Sequence, residues 1–324
     1  MKRLPFNARM FSLLLFVSFS LEQVKAQSDQ KSIFLPKQNL RFIFITTCVE
    51  AKFFQPVQKG MADAAAMLGV ACTFTGTEGV NIPAQVEMIR QALKEGYDGI
   101  ALNIIDPVAF DGVVLEAKER GVPVVAFNVD DHATPNARLS AVCQKLYEAG
   151  KTLGTKALDF VPAGSRVLMT MHDKGVSALE DRLRGAQEVL KTKNIKWKVI
   201  ISGNTVEKAV DVISRELKEN PDIKIVLCTG QSDTEGAGTA IEKYFPGYLA
   251  AGFDVSPGTL RLIKAGHIRF SIDQQPYVQG FYPVVQLTHY CRYGIVPSNI
   301  DAGAGIIDKN NVDKVIQLVE ERYR

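Results

Sequence analysis

The sequence has few cysteines and histidines, and neither type forms a cluster. Five cysteines and four histidines are spread over 324 residues, with no CxxC pair, no finger spacing and no HxxxH spacing. This scatter disfavours a disulfide framework and a metal centre, and we expect neither a metal nor a cofactor. In an oxidising compartment one cysteine pair could form a bridge, while most of the five suit small buried positions.

Long apolar runs are also missing from the sequence, and the one clear apolar stretch is short and lies near the start. Lys2, Arg3 and Arg9 precede the apolar stretch 10–21, and residues 24–26 read Val-Lys-Ala. This order is typical of a secretory signal over residues 1–26, and the run is too short to be read as a membrane span. The first cysteine, at position 48, lies too far from the cleavage pattern for a lipid anchor. We therefore expect a protein free in the periplasm.

Charge of one sign is not in excess once the predicted signal is set aside. Of 38 basic and 35 acidic side chains, four basic and one acidic lie in residues 1–26, which leaves 34 of each sign. A neutral chain has no basic surplus for nucleic acid, so we expect no nucleic-acid partner. About 300 residues are enough for two domains, each with its own core.

What the sequence does contain is an internal repeat. KGMADAAAMLGVACTF around Gly60 matches RGAQEVLKTKNIKWKVI around Gly185, since in both a glycine opens a helix that leads into an apolar strand. The segments 85–102 and 209–227 match next, and PVVAFN ending at Asn128 corresponds to LAAGFD ending at Asp254. Two similar halves in one chain predict a cleft between them.

Helices and apolar strands alternate in both halves. Strands are expected at 41–46, 70–75, 99–103 and 122–127, and the second half repeats the order from strand 166–171 onward, with no element assigned between 128 and 165. Apolar strands separated by helices predict two doubly wound parallel α/β sheets. The last helices and strands, from residue 256 on, do not fit a simple pair and predict a hinge of several crossovers.

These patterns set the expected domain limits. Residues 27–39 are polar and are expected to be a disordered lead-in. The N-terminal lobe is expected to comprise 40–141 and 275–301, and the C-terminal lobe 142–274 and 302–324.

The candidate site residues follow the predicted strands, because ligands of open parallel sheets bind beyond the carboxyl ends of the strands. Amide and carboxylate groups pair with hydroxyls, and aromatic faces pack on C–H surfaces, so the mixture suits a neutral sugar or polyol. The candidates are Phe53, Phe54, Asn128, His172, Glu180, Arg182, Gln231, Asp254 and Gln274.

Each candidate also has a purely structural interpretation. Asn128 and Asp254 could cap helices or open turns, Phe53 and Phe54 could be core, and Arg182 could pair with a neighbouring carboxylate. The equivalent positions of Asn128 and Asp254 in the two halves favour a shared role in binding.

Catalytic motifs are weak in comparison. Ser177 has no GxSxG setting, no Walker sequence is present, and the glycines at 236 and 238 suit a close-packed helix start. A carboxylate pair for glycoside hydrolysis is not identifiable from spacing. We expect a binding protein and not an enzyme.

Taken together, these residues resemble the type I periplasmic sugar-binding proteins of the ribose-binding family, the receptors of ABC importers. The resemblance covers nearly the whole chain that follows the predicted signal. It is carried by Phe53-Phe54 with Gly60, by VPVVAFN, ENPDIKIV, AGFDVSP and FSIDQQPYVQG. It implies two doubly wound lobes joined by three crossovers that close over one sugar, and a permease as partner.

The resemblance also implies residue roles. The stacking aromatics fall on Phe53 and Phe54, the polar residue after the fourth strand on Asn128, the carboxylate on Asp254 and the amide on Gln274. Three departures argue against ribose itself. The Asp-Arg pair of ribose receptors reads Asn128-Val129 here, a second arginine is replaced by Glu180 with Arg182 nearby, and the Asn-Asp pair reads Gly230-Gln231.

The resulting prediction is a monomeric periplasmic receptor that binds a monosaccharide or polyol between its lobes and delivers it to an ABC transporter permease. Three alternatives stay open at this point. They are an autoinducer-type furanosyl ligand on the same scaffold, a glycoside-processing enzyme and a sugar-responsive repressor core, the last disfavoured because a signal sequence stands where a DNA-binding helix-turn-helix would be.

Overall fold

The structure, a computed structural model, describes residues 37–131 and 136–324. The predicted signal sequence and most of the predicted lead-in fall on residues 1–36, outside the described part of the chain. In the described ranges no helix is both long enough and apolar enough to cross a membrane.

Strands and helices alternate along the chain, as the repeat predicts. The strands are β1 (Arg41–Thr46), β2 (Ala71–Gly76), β3 (Gly99–Ile104), β4 (Val124–Asp130), β5 (Ser140–Cys143), β6 (Arg166–Met171), β7 (Lys196–Ile201), β8 (Ile225–Cys228), β9 (Leu249–Phe253), β10 (Ile268–Asp273), β11 (Ile300–Asp301) and β12 (Gly305–Asp308). The helices are α1 (Phe54–Leu68), α2 (Ile82–Lys94), α3 (Asp111–Glu119), α4 (Leu146–Ala157), α5 (Ser177–Lys191), α6 (Val206–Glu219), α7 (Gln231–Tyr244), α8 (Pro257–Ala265), α9 (Pro276–Tyr293) and α10 (Val312–Glu320).

Two six-stranded sheets organise these elements. The strand orders are β11-β5-β4-β3-β1-β2 and β12-β10-β9-β8-β6-β7, so the two sheets share one strand order. The described strand pairs are parallel except for β10 and β12, which pair antiparallel. The predicted α/β fold with two parallel-dominated sheets is confirmed, and the repeat seen in the sequence corresponds to the repeated sheet order.

Each sheet has an apolar core on both of its faces. In the first lobe, α2 and α3 cover one face and α1 and α9 the other. In the second lobe, α6, α7, α8 and α10 cover one face and α4 and α5 the other. Burying a Leu, Ile or Phe side chain contributes about 1.5–3 kcal/mol, so these four clusters hold the helices against their sheets.

Helix ends follow local sequence signals. The Asn81 side chain accepts a hydrogen bond from the backbone N–H of Ala84 (3.1 Å) at the start of α2, where Pro83 occupies the first turn. Ser256 caps α8 in the same way through Thr259 (3.0 Å), and Gly266 ends that helix with φ of 91°. Such caps satisfy backbone donors and acceptors that the helix leaves unpaired.

Glycine allows one pair of helices in each lobe to cross closely. A Cβ atom on Gly60 of α1 or Gly280 of α9 would overlap a carbonyl oxygen of the facing helix, and the same holds for Gly150 of α4 and Gly185 of α5. Gly60 and Gly185 are the two glycines of the sequence repeat; the expectation that they open helices is wrong, because they lie in the middle of α1 and α5. The repeat therefore encodes a helix crossing as well as a sheet order.

The chain passes between the two sheets three times. The first crossover (residues 143–146) joins β5 to α4, the second (273–276) joins β10 to α9, and the third (301–305) joins β11 to β12. Three short segments side by side form a hinge that bends along one axis. The domain limits inferred from the sequence, near 141, 274 and 301, lie close to these three segments in the chain, and the limits stay a prediction.

Candidate ligand-binding site

A cleft of about 840 Å³ is lined by the segment that follows β1 in the first sheet and by the segments that follow β7, β8, β9 and β10 in the second. Phe53 and Pro56 line it from the first lobe, and Gln231 and Asp254 line it from the second. Parallel sheets leave this edge free for ligands because the crossover helices cover the faces. Three residues expected from the sequence, Phe53, Gln231 and Asp254, thus lie on the cleft wall.

The two neighbouring phenylalanines occupy different environments. Phe54 is buried and packs against Phe74 and Phe127, with ring centroids 5.8 and 6.5 Å away. Phe53 is partly exposed, lies edge-on to Phe54 at 5.2 Å and borders the cleft. Of the predicted pair, Phe53 offers a surface to a ligand, whereas Phe54 supports that surface from the core.

Asn128 and Asp254 share an uncommon backbone conformation. Their φ angles are 64° and 65°, in the left-handed region that Asn and Asp tolerate better than most residues. Asn128 lies near the carboxyl end of β4 and Asp254 directly follows β9, so the left-handed conformation occurs at the same edge of each sheet. The structure thus gives the two aligned residues the same geometry.

The side chain of Asn128 belongs to a chain of amide groups. Its Oδ1 accepts a hydrogen bond from Asn103 Nδ2 (2.8 Å), and its Nδ2 donates to Gln279 Oε1 (3.0 Å) and Gln274 Oε1 (3.5 Å). Gln274 Nε2 in turn donates to Asp254 Oδ1 (2.7 Å). Hydrogen-bonded amides therefore connect the first lobe, the second crossover and the second lobe.

Arg182 carries the positive charge of the buried cluster. Its Nη1 donates to the Thr229 carbonyl oxygen (2.9 Å) and lies 3.9 Å from Asp254 Oδ2, and its guanidinium stacks over the Phe253 ring at 4.2 Å. Burial lowers the pKa of Arg182, while Asp254 and Asp233 act in the opposite direction. An arginine held in this way is a rigid donor for a polar ligand.

His172 and Gly230 lie against each other at the ends of β6 and β8. A Cβ atom at position 230 would stand 2.6 Å from His172 Nδ1, so glycine leaves the space that the imidazole occupies. His172 Nδ1 is buried without a hydrogen-bond partner in the structure. A buried polar atom without a partner is costly unless a ligand or water satisfies it.

The remaining candidates are less central. Gln231 begins α7 and donates from Nε2 to the Val255 carbonyl oxygen (3.1 Å), which leaves its Oε1 as an acceptor at the cleft. Glu180 is exposed, although Arg182 two residues later is buried. The structure thus does not bring Glu180 to the buried cluster, and its expected role stays a prediction.

Several polar residues of the cluster were not among the candidates. Asn103 is buried, and its Oδ1 has no partner in the structure. Asp233 is buried in the first turn of α7, where it accepts from the backbone N–H groups of Thr229 (3.0 Å) and Gly230 (3.0 Å). Burial raises the pKa of Asp233. Asn103 ends the predicted strand 99–103, and Asp233 lies a few residues beyond the strand that precedes α7, so both stood at predicted strand ends.

In the described ranges no group of three or more His, Cys, Asp or Glu side chains is placed to hold a metal ion. The candidate site is instead made of amides, carboxylates, one guanidinium and aromatic faces. Such groups bind by hydrogen bonding and by packing on C–H surfaces.

The comparison with known families adds to this geometry. The sequence model described as "Periplasmic binding protein domain" matches residues 42–294, which is most of the chain. The chain belongs to this family. Its match to named sugar receptors and to solved receptor structures identifies it, more closely, as a type I periplasmic sugar-binding protein of the kind that serves ABC importers.

Named relatives of this sugar-binding protein point the same way. The xylose/arabinose-binding protein XylF of Sulfolobus acidocaldarius is 31% identical over 302 residues, which is 87% of this chain and 74% of XylF. The ribose import binding protein RbsB of Bacillus subtilis is 23% identical over 232 residues, 70% of this chain and 74% of RbsB. The relatives are binding proteins, which confirms the prediction of a receptor and not an enzyme.

Solved structures share the two-lobed architecture of this sugar-binding protein. A carbohydrate transporter from Acidothermus cellulolyticus in complex with myo-inositol has a TM-score of 0.77 and 27% identity, covering 88% of this chain and all of that one. A periplasmic sugar-binding protein from Legionella pneumophila has a TM-score of 0.76 and 26% identity, covering 82% of this chain and all of that one.

Proposed function

We propose that this receptor binds a neutral monosaccharide or polyol in the cleft between its lobes, as a monomer in the periplasm, and delivers it to the permease of an ABC importer. The relatives support the ligand class, because those named bind xylose, arabinose, ribose and myo-inositol. The site residues proposed are Phe53, Phe54, Asn128, His172, Arg182, Gln231, Asp254 and Gln274, with Glu180 as an outer candidate.

The charge balance of the cluster carries the proposal of a neutral ligand. Arg182 is the buried cation, and the carboxylates of Asp254 and Asp233 both interact with it electrostatically. An anionic ligand would have to compete with those carboxylates, and a cationic ligand with the guanidinium. A hydroxyl group carries no charge and can donate to one group while it accepts from the other.

Closure makes the binding specific. When two lobes exclude water, each hydroxyl of the ligand and each polar group of the site needs a partner. A sugar that lacks one hydroxyl would leave an amide or carboxylate unpaired, at a cost of about 1–3 kcal/mol. The ligand shifts the balance from open to closed forms only because it contacts both lobes when they are closed.

The test is a panel of D-xylose, L-arabinose, D-arabinose, D-ribose, D-allose, D-galactose and myo-inositol, measured by thermal shift and then by titration calorimetry. A ligand at 100 times its Kd stabilises the native state by about 2.7 kcal/mol, which raises Tm by several degrees. We expect at least one member to do so and to contract the protein in small-angle X-ray scattering. A panel without any shift would contradict the proposed ligand class.

Asp254→Ala provides the site-directed arm of the same test. Removing this carboxylate leaves Arg182 and Gln274 without a shared partner, so sugar binding should fall below detection in calorimetry while the fold persists. Asp159→Asn is the matched control, because Asp159 is an exposed carboxylate that pairs with Lys156 on the surface. Unchanged affinity in Asp254→Ala would remove Asp254 from the site.

A further inference from the structure

Gln144 lies on the first crossover, between the end of β5 and the start of α4. It is 4% exposed, although the neighbouring residue Lys145 is exposed. A buried amide in a hinge must have hydrogen-bond partners on both its oxygen and its nitrogen, or its burial is costly. Both ends of the Gln144 side chain have such partners.

The oxygen of Gln144 holds the arginine of the candidate site. Oε1 accepts from Arg182 Nε at 3.1 Å and from Arg182 Nη2 at 2.8 Å. Together with the bond from Nη1 to Thr229, three of the five N–H groups of the guanidinium have protein partners. The other two N–H groups remain for Asp254 and for a ligand. The direction in which they point is set by Gln144 Oε1, because this one oxygen accepts from both Nε and Nη2.

The nitrogen of the same side chain binds a different crossover. Gln144 Nε2 donates to the carbonyl oxygen of Gly303 at 2.8 Å. Gly303 lies in the third crossover and has a φ of 90°, where the chain passes from one sheet to the other. Backbone torsions in such segments absorb the rotation when lobes open and close. The position of Gln144 therefore depends on the state of the hinge.

We propose that Gln144 is a positioning residue that links hinge closure to the orientation of Arg182, so that the guanidinium is correctly directed for sugar binding only in the closed form. This role rests on the proposed sugar-binding function of the cleft. The physical link is one side chain with a hinge carbonyl at one end and the binding arginine at the other. Coupling of this kind requires a continuous network with two arrangements, which opening and closing of the hinge would supply.

Gln275 offers a matched control within the same hinge. Its Nε2 donates to the carbonyl oxygen of Ala302 at 2.6 Å, next to Gly303. Gln275 thus connects the second crossover to the third, as Gln144 connects the first to the third, but its described contacts do not include Arg182. Removing its amide weakens the hinge without releasing the guanidinium.

Three variants separate the two ends of Gln144. Gln144→Met removes both hydrogen-bonding ends, Gln144→Glu keeps an acceptor for Arg182 but loses the donor to Gly303, and Gln275→Met loses a hinge bond only. With D-xylose, L-arabinose and myo-inositol as probes in calorimetry, we expect affinity to fall about tenfold in both Gln144 variants. Gln275→Met should change affinity by less than about threefold. Wild-type affinity in Gln144→Glu, or an equal loss in Gln275→Met, would overturn the proposal.

A second measurement needs no ligand and reports on Arg182 directly. Solvent exchange of the Arg182 Nε–H, followed by NMR, should be faster in Gln144→Met and unchanged in Gln144→Glu. Gly303→Ala places a Cβ atom 2.8 Å from Gln275 Nε2 and so disturbs the third crossover. Gly303→Ala should speed the exchange of the Arg182 Nε–H when it is made in the wild-type protein. Made in the Gln144→Met variant, it should have no further effect on that exchange.

The two arms distinguish the failures of the two proposals. If no probe binds the wild-type protein but the exchange pattern is as expected, the sugar-binding function fails and the link between hinge and arginine stands. If a probe binds but Gly303→Ala leaves the Arg182 exchange rate unchanged, the link fails and the sugar-binding function stands.

Discussion

At the scale of the residue, the site depends on small residues that leave space for neighbouring polar side chains. Gly230 is the clearest case, because any larger residue would contact the imidazole of His172 and the carboxylate of Asp233, whose Oδ1 would lie 3.1 Å from the new Cβ. The ring can turn away, since its edge is the end of a flexible side chain. The backbone needs no left-handed conformation here, because Gly230 has a φ of −146°.

Gly230→Ala should therefore separate binding from stability. We expect the sugar affinity to fall several-fold because the imidazole is displaced from its place beside Gly230, while the free energy of unfolding changes by less than about 1 kcal/mol. Calorimetry and urea unfolding measure the two quantities. Gly112→Ala is the control for binding, because a Cβ there meets nothing within 4 Å. A loss of stability without a loss of affinity would contradict a role for His172 in binding.

At the scale of the element, the close crossing of α4 and α5 sets the position of Arg182. Gly150 of α4 packs directly on the backbone carbonyl of Arg182, and a Cβ atom on Gly150 would overlap that oxygen. The same helix pair follows Gln144 in the chain, so the crossing sets how far Arg182 lies from the start of α4, next to Gln144. A helix shift of a few tenths of an ångström would alter that separation.

Gly150→Ala should destabilise the second lobe by about 1–3 kcal/mol, because the extra methyl group overpacks a backbone contact. It should also weaken sugar binding, since α5 must move away. Gly112→Ala on the open face of α3 should change the free energy of unfolding in the opposite direction. It should stabilise the protein by roughly 0.5–1 kcal/mol, as expected for Gly to Ala in a helix. Urea unfolding measures both, and equal effects of the two substitutions would show that the crossing is not tight.

The same glycines explain what the sequence could and could not predict. The alternation of apolar strands and helices predicted both sheets, because each element there has a strong pattern and a repeated partner. The helix α4 and the strand β5 were not assigned. The segment LYEAGKTLGTKA carries two glycines that lower helix propensity, and they are present because α5 packs closely on them. Tertiary packing overrides local propensity at this element.

The sequence could predict part of the candidate site, as it could predict part of the fold. Asn128 and Asp254 follow strands at equivalent positions of the repeat, so their shared left-handed geometry could be expected. Gln144 and Gln279 could not, because an amide in a crossover or inside a helix has no motif. Their roles depend on the distance between segments far apart in the chain.

At the scale of the whole molecule, the last residues of the described chain join the two lobes. Arg324 Nη1 donates to Asp273 Oδ2 (2.8 Å) at the second crossover, and the Tyr323 ring packs on Tyr277 of α9 (5.2 Å) and under Lys59 Nζ (4.6 Å). The helix α10 that precedes them packs on the second lobe. This contact stabilises the hinge beside the cleft, which Arg324 also lines.

The pair of Asp273 and Arg324 makes stability depend on pH. Burial raises the pKa of Asp273, and Arg324 acts against that rise. A carboxyl whose folded-state pKa is raised contributes stability below its unfolded pKa, near 4, and loses it as pH rises through the folded-state pKa. Arg324→Met removes the counter-charge, so the pKa of Asp273 should rise further.

We therefore expect Arg324→Met to cost little stability near pH 4 and roughly 1–3 kcal/mol at pH 7. Thermal unfolding of the wild type and the variant across this range is the measurement. Arg322→Met, at an exposed position of the same segment, is the control. A constant difference at all pH values would show that Arg324 contributes packing and not charge.

The pairing of α1 with α9 has a consequence for how the chain assembles during synthesis. The second lobe draws its helix pair from neighbouring segments, α4 and α5, whereas the first lobe must wait for α9, which leaves the ribosome after nearly all of the second lobe. Contacts between distant segments close large loops and form slowly. The first half of the polypeptide therefore cannot complete its core until most of the second lobe has been made, and it exposes the apolar face of α1 until residue 293 has emerged.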